Sequence, residues 1–247
     1  MQHPELLLQI RRFHSTESAI LKIYNDALHA LDQDQVTALL LLDFSAAFDC
    51  VDHGLLLQLL RITCSISSNA FLWIASFLSD RTQVVRMGDD ESIVSRVLSG
   101  VPQGSILGPL LFVLYTTEIY HIAVSHGISL QLYADDAQLY THSTVHDVPT
   151  ACTRLAACVV EIGSWSASMR LSLNPAKTEL IWLHRKRSSI CFLENRSLTL
   201  DANTTISPVS MVRSLGVLFD SFLCLSPYVC LISCSSLFLS SSSYSTN

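Results

Sequence analysis

The chain has 247 residues, of which 49% are hydrophobic and 15% are charged, so it can bury a substantial core in one large or two small domains. Its net charge of −6 argues against binding nucleic acid through an extensive basic face. No apolar signal segment follows Met1, which predicts a protein that is not secreted. The eight cysteines form no CxxC pair, and this disfavours a zinc ribbon or a disulfide framework.

The first predicted elements are a helix and a buried strand. Apolar residues recur at intervals of three and four from Ala19 to Leu31, which predicts a helix that begins near Ser15 without a full capping box. An almost unbroken apolar run from Val36 to Leu42 predicts a central strand buried on both faces. Asp43 follows it, and a charge there is costly unless it is paired or coordinated. The alternative is that Asp43 caps a helix, since 46–60 has a helical pattern.

The middle of the chain alternates helices with turns. A helix is predicted over Ser68–Leu78, and a hairpin with an acidic loop over 82–98. Three glycines and two prolines between Ser99 and Pro109 indicate a shaped loop. Pro109 is expected at the first helical position, and the apolar helix continues over 110–124. Glu118 and His121 interrupt that helix, which we consider too short to span a membrane.

Two adjacent acids, Asp135 and Asp136, stand between two short runs of alternating apolar and polar residues. This pattern predicts a β-hairpin with both carboxylates at its tip. Adjacent carboxylates repel each other, and a divalent cation such as Mg²⁺ would relieve that repulsion. The alternative is a simple acidic turn, because Asp is common in turns.

The last third of the chain ends in an unusual segment. A helix is predicted over 148–169, then an Asn-Pro turn, a strand over 178–183 and a last strand over 213–220. Residues 221–247 contain ten serines and no charged residue. We expect this tail to be poorly ordered, or to be translated past a lesion in the coding sequence.

Several of these stretches, taken in order, resemble the reverse transcriptase domain of non-LTR (LINE-type) retrotransposons. Three motifs carry most of the resemblance: Leu-Leu-Leu-Asp-Phe-Ser-Ala-Ala-Phe-Asp over 40–49, Gly-Val-Pro-Gln-Gly-Ser over 100–105, and Tyr-Ala-Asp-Asp over 133–136. Leu-Asn-Pro-Ala-Lys-Thr-Glu over 173–179 and Ser-Leu-Gly-Val over 214–217 add two more. The resemblance covers about residues 9–220.

The resemblance implies an α+β fold: a right-hand polymerase palm, with an antiparallel sheet backed by helices, partial fingers and no recognisable thumb. It divides the chain into a remnant of an upstream fingers segment (1–14), the palm with partial fingers (15–220) and the serine-rich tail (221–247). On this interpretation the chain is truncated at both ends relative to the family.

The resemblance also implies a metal site. Asp43, Asp135 and Asp136 match the family's catalytic acids, which bind two Mg²⁺ ions, with Mn²⁺ as a substitute. Lys177 matches a lysine that protonates pyrophosphate or stabilises its charge; alternatively, it is a surface lysine after a turn.

The remaining motif residues imply contacts with substrates. Phe44 would offer a backbone carbonyl at the nucleotide site, and Phe48 matches a bulky steric gate that selects deoxynucleotides. Gln103 and Gly104 match the loop that contacts the incoming nucleotide and the template. Leu215 and Gly216 resemble the primer grip.

The implied function is RNA-directed DNA polymerisation by two-metal nucleotidyl transfer to a primer 3′ hydroxyl. The implied partners are an RNA template, a DNA primer and deoxynucleoside triphosphates, with no membrane. One alternative is a catalytically inactive remnant of a decayed retrotransposon. Another is a regulatory module that binds a nucleotide without extending a primer.

Overall fold

The computed structural model describes residues 15–102, 104–133, 136–185, 193 and 196–224. The described residues do not include 1–14, Gln103, Asp135 or 225–247. What the sequence predicts for these residues therefore stays a prediction. The helices are α1 (Thr16–Asp32), α2 (His53–Ile62), α3 (Ser68–Leu78), α4 (Leu107–Tyr115), α5 (Thr117–Ser125) and α6 (Val148–Ser168).

The strands form one central sheet and several small ribbons. In chain order they are β1 (Val36–Leu42), β2 (Phe44–Ser45), β3 (Thr82–Gln83), β4 (Arg86–Met87), β5 (Asp90–Glu91), β6 (Ser95–Arg96), β7 (Ser129–Tyr133), β8 (Asp136–Ser143), β9 (Ser172–Leu173), β10 (Glu179–Leu183), β11 (Leu198–Thr199), β12 (Thr205–Ile206), β13 (Met211–Ser214) and β14 (Val217–Asp220). The central sheet has the order β10-β1-β8-β7, and all its neighbours are antiparallel.

Both faces of the central sheet are covered, as the apolar run of β1 predicts. Leu40 and Leu42 contribute to a core that also contains buried residues of α2 to α6. Leu39 points to the opposite face, where it packs with residues of α1 and of the β13–β14 hairpin. Because side chains alternate along a strand, one run of apolar residues supplies both cores. The expected α+β fold with an antiparallel sheet backed by helices is confirmed.

The N-terminus of α1 is better capped than the sequence predicts. The Ser15 hydroxyl accepts a hydrogen bond from the Ser18 backbone N–H, and the Ser18 hydroxyl accepts one from the Ser15 N–H. Serine thus fills the role that Glu or Gln usually plays at the third helical position. The prediction that Ser15 lacks a full capping box is wrong.

The predicted helix over 46–60 begins later than expected. Residues 46–50 form a turn in which Ala46 has a φ of +47°. The helix α2 starts only at His53, where the carboxylate of Asp52 accepts the Leu55 N–H at 2.9 Å. Asp43 therefore caps no helix, and the capping role belongs to Asp52.

The predicted apolar helix over 110–124 begins earlier than expected and is interrupted. It starts at Leu107, so Pro109 is its third residue and not its first. The side chains of Thr116 and Thr117 donate hydrogen bonds to carbonyls of the preceding turn, where α4 gives way to α5. Together α4 and α5 span 19 residues, which by length and composition is long and apolar enough to cross a membrane, and half of this segment is buried within the fold. The expectation that this segment is too short to span a membrane is therefore wrong as regards its length.

Candidate active site

The structure brings Asp43 and Asp136 to the same end of neighbouring strands. Leu42 at the end of β1 is paired with Ala137 in β8. Asp43 follows Leu42 and Asp136 precedes Ala137, so the two carboxylates flank this pair. The strands β7 and β8 form the predicted hairpin, with Tyr133 opposite Asp136 at its tip. Asp135 lies between them, outside the described residues.

A structured turn places Lys177 beside Asp43. The Asn174 N–H donates to the Asp43 carbonyl at 2.9 Å, which fixes the start of this turn beside β1. The Asn174 side chain accepts the Ala176 N–H at 3.1 Å, as Asn commonly does in turns. The ammonium group of Lys177 then lies 3.7 Å from Asp43 Oδ2. The Lys177 side chain is itself 68% exposed, so it lies at the rim of the site.

These residues line a cleft of about 140 Å³. Three of its side chains are acidic and two are basic, so with Asp135 nearby in sequence the local charge favours a cation. The lining residues are Leu41, Leu42, Asp43, Asp136, Ala137, Gln138, Lys177, Glu179, Arg213 and Ser214.

One carboxylate oxygen in the cleft fits a metal ligand. Asp43 Oδ2 is buried and has no hydrogen-bond partner among the residues that the structure describes. The Lys177 ammonium group, 3.7 Å away, offsets the charge of this oxygen without a hydrogen bond, and a divalent cation would coordinate it directly. Within the described ranges, which omit Asp135, no group of three His, Cys, Asp or Glu residues is arranged to hold a metal. Of the three predicted ligands, the described residues include Asp43 and Asp136.

Phe48 is held in place by an aromatic neighbour. Its ring stacks on that of Phe112 in α4, with centroids 4.7 Å apart and an angle of 28° between the planes. Phe112 is fully buried, whereas Phe48 is half-buried. The ring of Phe48 therefore has a rigid support and retains an accessible side. Phe44 is buried and pairs with Leu173 in the β2–β9 ribbon.

The glycine-rich loop is docked on the turn that carries Phe48. The N–H of Val101 donates to the Phe48 carbonyl at 2.9 Å, and the N–H of Gly100 donates to the Val51 carbonyl at 2.7 Å. A Cβ on Gly100 would lie 3.0 Å from the Asp49 Cα, so the approach requires glycine. Gly104 is exposed with a φ of +79°, and Gln103 lies outside the described residues. The loop and the Phe48 turn therefore form one unit.

The predicted last strand over 213–220 is a hairpin instead. The strands β13 and β14 are joined by Leu215 and Gly216, whose φ values are +48° and +86°. Positive φ at both central residues is typical of tight two-residue hairpin turns. Leucine rarely adopts this conformation, so the turn is strained at Leu215. The turn is tied to the β7–β8 hairpin by a hydrogen bond from the Gln138 amide to the Ser214 hydroxyl.

Four polar cleft residues have no role predicted from the sequence, although Glu179 and Ser214 stand within family motifs: Gln138, Glu179, Arg213 and Ser214. Gln138 offered one signal, because it stands two residues after Asp136 and so shares its face of the strand. The other three come from distant segments, and their position depends on tertiary packing.

A second polar cluster joins α1 to the same face of the sheet. The Tyr140 hydroxyl donates to Asp26 Oδ2 at 2.7 Å and accepts from the Lys22 ammonium at 2.9 Å. Burial alone would lower the pKa of Lys22, but its bonds to Tyr140 and Asp26 raise it above the ordinary value. Burial lowers the pKa of His142, whose Nδ1 lies 2.8 Å from the Thr37 hydroxyl. This cluster fixes α1 on β8.

The arrangement of these motifs agrees with a family-level match. The family described as reverse transcriptase (RNA-dependent DNA polymerase) matches residues 2–217. The chain belongs to the reverse transcriptase family. This confirms the family that the motifs predicted, and its relatives include RNA-directed DNA polymerases of non-LTR retrotransposons.

Two curated relatives from Drosophila melanogaster illustrate the similarity of this reverse transcriptase chain. The probable RNA-directed DNA polymerase from transposon BS is 30% identical over 181 residues, which cover 71% of this chain and 19% of the relative. The probable RNA-directed DNA polymerase from transposon X-element is 30% identical over 232 residues, which cover 92% of this chain and 24% of the relative. The chain thus spans about a fifth to a quarter of the length of these relatives.

Solved telomerase structures share the fold of this chain. Apo telomerase from Candida tropicalis, truncated from its C-terminal domain, is 17% identical, with a TM-score of 0.54 over 86% of this chain and 39% of that one. Telomerase from the same organism in complex with a fragment of telomeric RNA is 16% identical, with a TM-score of 0.55 over 86% of this chain and 32% of that one. These similarities support the polymerase palm as the fold.

Proposed function

We propose that this chain is the catalytic palm of an RNA-directed DNA polymerase, which adds deoxynucleotides to a DNA primer on an RNA template. The observation that carries the proposal is the cleft in which Asp43, Asp136 and Lys177 meet. Three separate segments of the chain supply these side chains, and each one lies in a motif that matches the family.

The carboxylates of Asp43, Asp135 and Asp136 are the proposed ligands of two Mg²⁺ ions, for which Mn²⁺ can substitute. When bound, such ions activate the primer 3′ hydroxyl and neutralise charge on the leaving pyrophosphate. Oδ2 of Asp43 supports this assignment, because it is buried and makes no hydrogen bond among the described residues, while the Lys177 ammonium group lies 3.7 Å away. The carbonyl of Phe44, next along the chain, is an additional proposed ligand.

Lys177 is proposed to act on the leaving group. Its ammonium group is within reach of anions at the cleft, since it lies 3.7 Å from Asp43 Oδ2 and its side chain is 68% exposed. It would donate a proton to pyrophosphate or stabilise its negative charge.

Phe48 is proposed to select the sugar. A bulky ring fixed by Phe112 cannot yield to an added 2′ hydroxyl, so ribonucleotides would be rejected by contact. The docked loop would place Gln103 and Gly104 beside the incoming nucleotide. Leu215 and Gly216 at the strained turn would contact the primer.

A primer-extension assay tests this proposal. The full chain is incubated at low salt with an RNA template, a labelled DNA primer, deoxynucleotides and Mg²⁺, because phosphate contacts weaken as salt rises. We expect incorporation that is lost in Asp135→Asn. Absence of incorporation by a cooperatively folded chain would favour the inactive alternative, and activity unaffected by Asp135→Asn would contradict the proposed site.

A further inference from the structure

Gln138 is a buried polar residue beside the proposed catalytic carboxylates. It lies in β8 two residues after Asp136, on the same face of the sheet, and is only 1% exposed. Its partners across the sheet are Leu41 in β1 and Gln131 in β7. It therefore lies in β8 between Asp136 and Tyr140, whose hydroxyl is hydrogen-bonded to α1.

The side chain of Gln138 makes one contact that reaches another element of the site. Its Nε2 donates to Ser214 Oγ at 2.5 Å, and Ser214 immediately precedes the Leu215–Gly216 turn. Its Oε1 is buried without a hydrogen-bond partner among the described residues. Burying an amide that is only half satisfied costs stability, and an apolar side chain of similar size would avoid that cost.

We propose that Gln138 is a positioning residue that fixes the primer-binding turn relative to the catalytic carboxylates. This inference rests on the proposed function, since it takes Leu215 and Gly216 as primer contacts. The hydrogen bond to Ser214 joins β8, which carries Asp136, to β13, which carries the turn. It thereby sets where a primer end held by the turn stands relative to Asp43 and Asp136.

A packing role and a positioning role predict opposite results for Gln138→Leu. If Gln138 only fills space, leucine leaves nucleotide incorporation unchanged and stabilises the fold. If Gln138 positions the turn, Gln138→Leu retains the fold but slows incorporation by about tenfold at saturating nucleotide and primer, the effect of one hydrogen bond. The KM for deoxynucleotide stays within about twofold, because the alignment of the primer changes and not the binding of the nucleotide.

A double-mutant cycle isolates the proposed link. Ser214→Ala should slow incorporation as much as Gln138→Leu, and the double variant should be no slower than either single variant. Gln131→Leu is the matched control, because Gln131 is also a buried glutamine on this face, one strand further from Asp43. It should stay within about twofold of the unmodified chain. Losses that multiply in the double variant, or wild-type rates for Gln138→Leu, would overturn the inference.

Hydrogen exchange provides a readout that does not require catalysis. The backbone amides of residues 213–217 should exchange faster in Gln138→Leu and Ser214→Ala than in the unmodified chain or Gln131→Leu. Unchanged exchange would overturn the link even if the chain extends primers. Faster exchange in a chain that extends no primer would instead retain the link and contradict the proposed function.

Discussion

The ammonium group of Lys177 lies 3.7 Å from Oδ2 of Asp43, although the two residues belong to distant motifs. The contact depends on the Asn174 turn, whose N–H is bonded to the carbonyl of Asp43 itself. The backbone of Asp43 thus holds the turn that leads to Lys177, and its side chain pairs with the Lys177 ammonium group. These contacts hold the motif over 40–49 and the motif over 173–179 together at one cleft.

Replacing Lys177 should slow catalysis more than it weakens substrate binding. We expect Lys177→Gln to lower the single-turnover incorporation rate by about 100-fold, the effect typical of a lost proton donor. Lys177→Arg should recover part of the rate, since it restores the charge. Arg185→Gln removes a positive charge that pairs on the surface with Asp32 and should leave the rate unchanged. Equal rates for Lys177→Gln and the unmodified chain would show that Lys177 is a surface lysine without a role in catalysis.

Removing the Phe48 ring should relax the choice of sugar. We expect Phe48→Ala to raise ribonucleotide incorporation relative to deoxynucleotide by about tenfold or more, because the side chain that excludes a 2′ hydroxyl is gone. Competition between the two nucleotides on one primer measures the ratio. Phe77→Ala is the control, as Phe77 is a half-buried aromatic residue in α3. A ratio that does not change would show that the gate lies elsewhere.

His142 should make the fold less stable in mild acid. Burial depresses the pKa of His142 below 6.5, so the folded state holds the neutral ring. Below about pH 6.5 the unfolded chain takes up a proton that the folded chain resists, and the free energy of unfolding falls as pH decreases.

Urea denaturation at several pH values between about 7 and 5 measures this slope. We expect His142→Gln to flatten it, whereas His29→Gln, which alters an exposed histidine of α1, should keep it. An unchanged slope in His142→Gln would show that other groups cause the acid sensitivity.

The central strand should dominate stability. Leu40 is 0% exposed in β1, and Leu40→Ala should lower the free energy of unfolding by about 2–5 kcal/mol. Leu21→Ala in α1 removes a leucine that is 63% exposed and should cost less than about 0.5 kcal/mol. Similar losses from both would contradict the described core.

The sequence predicted the elements whose evidence is local. The bounds of β1 and α3 agree with the structure because an apolar run and a 3.6-residue period determine them. The segment 46–52 has a helical pattern, but the glycine-rich loop holds it as a turn through hydrogen bonds from Gly100 and Val101 to the carbonyls of Val51 and Phe48. The Leu215 turn was missed because leucine disfavours positive φ.

The residues of the candidate site also divide into those predicted from local motifs and those placed by long-range packing. Asp43, Asp136 and Lys177 were predicted because each stands in a motif, and the structure brings these three together. Ser214 and Arg213 reach the cleft only through the packing of the β13–β14 hairpin. Ser214 stands in the motif over 214–217, but the motif gives no sign of its contact with Gln138.

The Mg²⁺ dependence of single-nucleotide incorporation by Asp43→Asn tests the central claim most directly. Asp49→Asn is the matched control, since Asp49 is an exposed carboxylate in the adjacent turn. We predict that Asp43→Asn lowers the rate by about 100-fold or more at every Mg²⁺ concentration while the fold is retained, because a neutral amide cannot replace a carboxylate ligand of Mg²⁺. Asp49→Asn should match the unmodified chain. Equal rates and equal Mg²⁺ dependence for the two variants would contradict the assignment of Asp43 to the metal site.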